Sequence, residues 1–357
     1  MVTTKLYASE ILEQAYTSTC ISRADRGHNH SIWDLRYHWT HCKAQLQQQL
    51  RMGRYVLGPV QSHHINGEWL SSWSAIDTLV LKALSLVLQP LFTKEHYPSV
   101  THLKHGGGIH ASLKHVSSNQ SQYRYILKSD AYHYYESIDH EILLAAMRQY
   151  VTCPILLDLV TQYCQRVEIK DGNYYHIKKG IPKGCPLSPL VAALYLKPLD
   201  DELSKHGFYQ RFMDDWLIMV NTKHQLRKVI KLTHKILNAV QLKMHPDKTY
   251  LGCIKKGFDF LGVHFSAVPR IAKATVEKHR VKLALRYARG ASDACIGDYK
   301  ARWTSWCKGV LSAAGSDGQQ INQTMEWCDR RFVDSIVLNT QECKHETRQI
   351  AYHPGRC

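Results

Sequence analysis

One segment limits the folding options of this chain more than any other: Tyr209 to Val220, YQRFMDDWLIMV. Two apolar runs flank the adjacent aspartates Asp214 and Asp215. Short apolar runs around a polar break predict a β-hairpin with acids at its turn. Such a turn ordinarily offers Gly or Asn, and neighbouring carboxylates repel each other. Bound metal ions relieve that repulsion. A third acid, Asp130, ends the strand-like stretch YRYILKSD, Tyr123 to Asp130. Three carboxylates at the ends of neighbouring strands can hold two Mg²⁺ ions about 4 Å apart, which suits phosphoryl transfer. A solvated acidic turn is the plain alternative.

The surrounding pattern is mixed helix and strand. Residues 36–57 are polar and basic and read as helical. Residues 74–92 predict an apolar helix, with Asp77 near its start where a carboxylate suits the dipole. The run Gly106, Gly107, Gly108 marks a turn or a close backbone approach. Glu141 to Tyr150 reads as a helix. Gly180 to Pro189, GIPKGCPLSP, is punctuated as a loop. Ser188 is expected to cap the helix that follows, which runs to about Asp201 with a kink at Pro198. Apolar residues at helical spacing from Leu226 to Val240 predict an amphipathic helix over His224 to Val240. Phe258 to Phe265 predicts a strand pair. Beyond Arg270 the chain turns basic: Thr275 is expected to cap a helix closed by Gly290, and a second helix carries Trp303 and Trp306.

Composition narrows the partners. Lys and Arg outnumber Asp and Glu 46 to 30, a net charge of +16 that suits a polyanion. No stretch has the roughly 18 apolar residues of a membrane span, and the N-terminus lacks the apolar core of a signal peptide. Eleven scattered cysteines without a CxxC pair predict reduced thiols in a cytoplasmic protein. Twenty-two histidines include no HExxH pair.

In order along the chain, several segments resemble the reverse transcriptases of bacteria, the branch with group II intron proteins, retrons and stand-alone defence enzymes. SSWSAIDTLVLKALSLVLQPLF is similar to the fingers motif, SDAYHYYESIDHEIL to the first palm motif, and GIPKGCPLSPLVAALYL to the motif opening the long palm helix. FMDDWLIMV resembles the YxDD hairpin, with Phe212 in place of tyrosine. LKMHPDKTYLG and FDFLGVHF resemble the lysine-bearing motif and the primer grip. The likeness covers roughly residues 65–310.

The resemblance implies an α+β right-hand polymerase. Its parts are an N-terminal helical extension (1–64), fingers and palm with an antiparallel sheet and catalytic hairpin (65–268), a helical thumb (269–345) and a loose tail (346–357). It implies RNA-directed DNA synthesis from dNTPs, with Asp130, Asp214 and Asp215 holding two Mg²⁺ ions, or Mn²⁺ in their place. Tyr135 matches the aromatic gate that excludes a ribose 2′-hydroxyl. Lys248 matches the lysine that protonates pyrophosphate. Lys183 stands where the family carries glutamine, beside Gly184 in the substrate loop. Lys104 is a further triphosphate contact. Lys278, Lys282, Arg286 and Arg302 in the thumb would grip duplex phosphates. No endonuclease motif follows the thumb, which fits a stand-alone enzyme. The implied partners are an RNA template, a DNA primer and product, dNTPs, a structured noncoding RNA and a companion protein, in a defence or retron-like system and without a membrane. Two other readings stay open: a template-independent or protein-primed nucleotidyl transferase, and a non-catalytic RNA-binding or maturase-like protein.

Overall fold

The acidic doublet folds as a tight hairpin. Strand Phe208–Phe212 pairs antiparallel with strand Asp215–Val220, Phe212 opposite Asp215. Met213 and Asp214 are left as the two-residue turn. Strand Tyr125–Asp130 runs next to Asp215–Val220, so its last residue, Asp130, belongs to the same sheet as the doublet. The computed structural model describes residues 3–65, 68–91, 97–104 and 106–326. The thumb and tail expectations for residues 327–357 lie outside the described residues, as does the end of the expected apolar helix at Phe92.

The chain forms two compact units. The first comprises residues 1–108 and 127–249. Besides the hairpin sheet it holds a four-stranded sheet in the order Glu68–Ser72, Val60–Ile65, Val167–Lys170, Asn173–His176. Val60–Ile65 is antiparallel to Glu68–Ser72 and parallel to Val167–Lys170. The apolar helix spans Ala75–Leu88, capped by Ser74, whose hydroxyl accepts from the Asp77 amide at 3.1 Å. Asp77 is buried and accepts from Tyr55 at 2.8 Å. Helix Ser9–Ser22 packs along Ala75–Leu88, so the N-terminal residues share the first unit's core. The helix expected over 36–57 begins earlier and ends earlier, at Ser31–Arg51, because the His30 ring caps it by accepting from the Ile32 amide.

Ser188 does not cap its helix. Leu187 occupies that position, and the Ser188 hydroxyl instead bonds the Pro182 carbonyl and the Tyr163 hydroxyl, both at 2.6 Å. That pair of bonds fastens the Gly180–Pro189 loop to the core. The helix breaks at Leu196, and Pro198 opens the next segment, Lys197–Leu203, where a missing N–H does no harm. Helix Lys223–Ala239 has a capping box between Thr222 and Gln225 and buries Val229, Thr233 and Leu237 on the expected face.

The second unit comprises residues 109–126 and 250–357. Its strands Phe258–Phe260 and Val263–Phe265 are joined by Leu261 and Gly262 at φ +47° and +85°, the two positive angles a tight hairpin needs. A side chain at Gly262 would meet the Trp306 ring at 2.9 Å. The basic helix starts at Lys273 after Ala272, not at Thr275, because the Ala272 amide bonds back to the Gly262 carbonyl and turns the chain early. It closes at Gly290, φ +67°. Trp303 stacks between His279 and Trp306, with centroids 4.0 and 5.2 Å away.

Beneath the acidic turn lies a buried ion pair. Arg211, fully enclosed, donates from Nε to Asp200 Oδ1 at 2.6 Å and from Nη2 to Oδ2 at 2.5 Å. Its Nη1 donates to the Met213 carbonyl at 2.8 Å. The Tyr209 hydroxyl gives Asp200 a third bond at 2.9 Å. Arg211→Met should therefore strand a buried carboxylate and lower stability by about 3–5 kcal/mol, while pairing it with Asp200→Leu should recover most of the loss. Denaturant unfolding of the two variants against the native chain checks this; equal losses would contradict it.

Candidate active site

The same arginine shapes the reacting end of the hairpin. Met213 sits at φ +59°, a conformation a non-glycine residue holds only when its neighbours fix it. Arg211 takes its carbonyl, and its amide donates to His102 Nδ1 at 2.9 Å. Burial, then the nearby Arg211 charge, pushes His102 down to about 3, so it is a neutral acceptor. Asp214 at the turn tip and Asp130 at the strand end both line one cleft of about 1230 Å³.

The three aspartates are not equivalent. Burial, then the Asp130 carboxylate, raises Asp214 to about 7. Asp215 begins a strand and turns toward Lys128, Nζ to Oδ1 3.3 Å. Burial still raises it to about 6, against the pull of Lys128. Asp130 Oδ2 accepts from Lys248 Nζ at 2.5 Å. Burial alone would lower Lys248; its contact with Asp130 outweighs that and raises it. Asp130 Oδ1 and Asp215 Oδ1 are buried without a hydrogen-bond partner, the Lys128 ammonium supplying charge but not hydrogen-bond geometry. Among the described residues no three acidic, His or Cys side chains close into a ready-made metal cage. Asp130 and Asp214 converge, and Asp215 stands behind them. Hard carboxylate oxygens, two of them orphaned and two acids resisting ionisation, fit a divalent cation.

Tyr134 and Tyr135 both line the cleft but differ in burial. Tyr134 is core, its hydroxyl bonded to the Ala192 carbonyl. Tyr135 lines the cleft, and burial, then the Asp214 charge, raises its phenol well above the usual range. Its carbonyl accepts from the Ile181 amide at 2.8 Å, which ties it to the glycine-bearing loop. In that loop Gly180, at φ +85°, lies so close to Glu136 that a side chain would strike the Glu136 carbonyl at 2.9 Å. Lys183 and Gly184 also line the cleft. Lys183 pairs with Glu136 at 3.2 Å, and Glu136 also meets His133 at 2.7 Å. Gly184, at φ +89°, has the backbone freedom this position requires.

Other expected residues stand elsewhere. Lys104 is exposed and does not line the cleft. Lys278, Lys282 and Arg286 belong to helix Lys273–Ala288 and Arg302 to helix Asp293–Ala313, both in the second unit. Lys278, Lys282 and Arg302 are exposed, whereas the Arg286 guanidinium stacks over Tyr299 at 4.4 Å. The residues that escaped the sequence reading are Arg211, Asp200, His102, Lys128 and Glu136. Arg211 did leave a signal, a charge in the middle of an apolar strand, which demands a buried partner.

The raised aspartates make stability fall as pH rises. Both acids have folded values above the ordinary 3.8, about 7 for Asp214 and about 6 for Asp215. The folded chain therefore holds extra protons between about pH 4 and 7. That contribution is complete below this window and gone above it, at up to about 1.4 kcal/mol per pH unit and proton. In EDTA, Asp214→Asn should raise the melting temperature at pH 8 and change it little at pH 4. A lowered melting temperature at pH 8 would contradict the repulsion inferred here.

Residues 70–265 match the family described as reverse transcriptase (RNA-dependent DNA polymerase). Among curated relatives, Protein YkfC of Escherichia coli is 20% identical, the match covering 61% of this chain and 69% of YkfC. Group II intron-encoded protein LtrA of Lactococcus lactis is 23% identical over 43% of this chain, which spans 26% of that longer protein. An uncharacterized 91 kDa protein in a cob intron of Schizosaccharomyces pombe is 23% identical over 37% of this chain and 16% of its own length. With the matched span covering more than half the chain and enclosing Asp130, Tyr135, Asp214, Asp215 and Lys248, the chain belongs to the reverse transcriptase family, the RNA-directed DNA polymerases.

Proposed function

We propose that this chain adds dNTPs to a DNA primer on an RNA template by a metal-dependent phosphoryl transfer. One observation carries the reading: Asp130 and the turn aspartate Asp214 meet in a single cleft that Tyr135 also lines. Asp130 and Asp214, with Asp215 behind them, would hold divalent cations, Mg²⁺ in the first instance. Such ions supply charge neutralisation for the attacking and leaving oxygens. The protein's own groups do the rest. The hairpin turn, held by Arg211 and His102, fixes where the carboxylates point. Lys128 and Lys248 balance the acids' charge. Lys248, kept protonated by Asp130, can hand a proton to the departing pyrophosphate. The Tyr135 ring, packed beside Asp214, would crowd a ribose 2′-hydroxyl and so select deoxynucleotides.

Lys183 does not present a bare charge to the cleft, since Glu136 holds it. That pairing supports ordinary templated synthesis over a template-independent transferase. The right-hand division into fingers, palm and thumb, with thumb cations on phosphates, completes the reading. The likeness to stand-alone bacterial enzymes supports a dedicated noncoding RNA in a defence or retron-like setting.

Extension of oligo(dT) on poly(rA) with dTTP and Mg²⁺ tests the activity. The native chain should extend the primer only when template is present, and Asp214→Ala with Asp215→Ala should abolish extension while keeping a cooperative melt. Substantial incorporation by the double variant would sink the assignment. In the same assay Tyr135→Ala should raise the use of UTP relative to dTTP by roughly tenfold or more; an unchanged ratio would remove the gate from the account.

A further inference from the structure

Two cations of the cleft are already matched with acids. Lys248 sits against Asp130 at 2.5 Å and Lys183 against Glu136 at 3.2 Å. Arg23, Arg26 and Lys82 line the same cleft, yet none of them joins an ion pair among the described residues. Arg23 is held in a fixed pose. Its Nη2 donates to the Trp73 carbonyl at 2.9 Å and to Thr78 Oγ1 at 2.6 Å. Its Nη1 is buried with no partner. Burial, then the charges of Arg23 and Arg26, lowers His30, so these side chains share one electrostatic neighbourhood.

Cations gathered without acids, with a donor left unsatisfied, are an arrangement that an anion completes. The guanidinium fork suits phosphate oxygens in particular. We propose that Arg23 and Arg26, supported by Lys82, bind the phosphates of the incoming nucleotide. This places residues that follow the N-terminal helix Ser9–Ser22 within the nucleotide site. The inference rests on the polymerase reading. In that reaction the α-phosphate must reach Asp130 and Asp214, so the β- and γ-phosphates must lie in the same cleft. Lys248, held by Asp130, would reach the leaving oxygen, and Arg23, Arg26 and Lys82, cleft cations in no ion pair among the described residues, would receive the remaining phosphate charge.

Calorimetric binding of inorganic tripolyphosphate tests the subsite without any need for turnover. Arg26→Ala removes an exposed side chain and should leave the fold intact. It should weaken tripolyphosphate by about tenfold, as should Arg23→Gln, with Arg23→Lys recovering only part of the affinity because an ammonium lacks the fork. In primer extension, both weakening variants should raise the KM for dTTP by a similar factor, with template–primer affinity unchanged. Two results would overturn the proposal: native tripolyphosphate affinity in both variants, or a loss of template–primer affinity at an unchanged KM, which would assign these cations to the nucleic-acid backbone. A native chain that binds tripolyphosphate through these arginines but extends no primer would support the anion site and sink the polymerase reading.

Discussion

The pair Arg211–Asp200 is the interaction on which the site depends. A guanidinium buried among apolar strands is costly unless its donors are met, and here Asp200, Met213 and Ala193 all accept from it. The contact to the Met213 carbonyl is the consequential one. It fixes a non-glycine residue in a left-handed turn and so fixes the direction of the next residue, Asp214. A hairpin with Gly or Asn in its turn could relax without that anchor. This one cannot, because the anchor is what keeps an acid aimed into the cleft.

Charges of both signs line the one cleft. On the aspartate side, burial and mutual repulsion resist ionisation, and Lys128 and Lys248 offset this only in part. In the same cleft, Arg23, Arg26 and Lys82 join no ion pair among the described residues. A ligand carrying both divalent cations and phosphates, as the proposed metal-bound nucleotide does, would satisfy both sets of charges together. The cleft is therefore electrostatically unbalanced where the proposed nucleotide would bind.

Much of this was legible in the sequence. The doublet, the strand ending in Asp130 and the helix over Lys223–Ala239 follow from periodicity and from where acids interrupt it. Only the family resemblance points to Tyr135 rather than Tyr134; both side chains line the cleft, Tyr134 the more buried, with its hydroxyl bonded to the Ala192 carbonyl. The helix starts differ from the local cap pattern at Ser188 and Thr275 because local rules ignore long-range partners. Tyr163 and Pro182 claimed the first hydroxyl, and a bond from Ala272 to Gly262 set the second helix start. Arg23 was invisible for a related reason: nothing in an N-terminal helix announces that its end reaches a cleft built more than a hundred residues later.

The hairpin turn and the end of strand Tyr125–Asp130 bring Asp214 and Asp130 into one cleft, where a divalent cation would complete the acidic cluster. The melting temperature at pH 8, titrated with Mg²⁺ from an EDTA-treated start, tests it directly. Ions that bind only the folded cluster stabilise by mass action, so the melting temperature of the native chain should climb with the logarithm of Mg²⁺ concentration. The climb should vanish in Asp214→Ala. A native chain whose melting temperature ignores Mg²⁺, or an Asp214→Ala chain that responds as the native one does, would contradict the account.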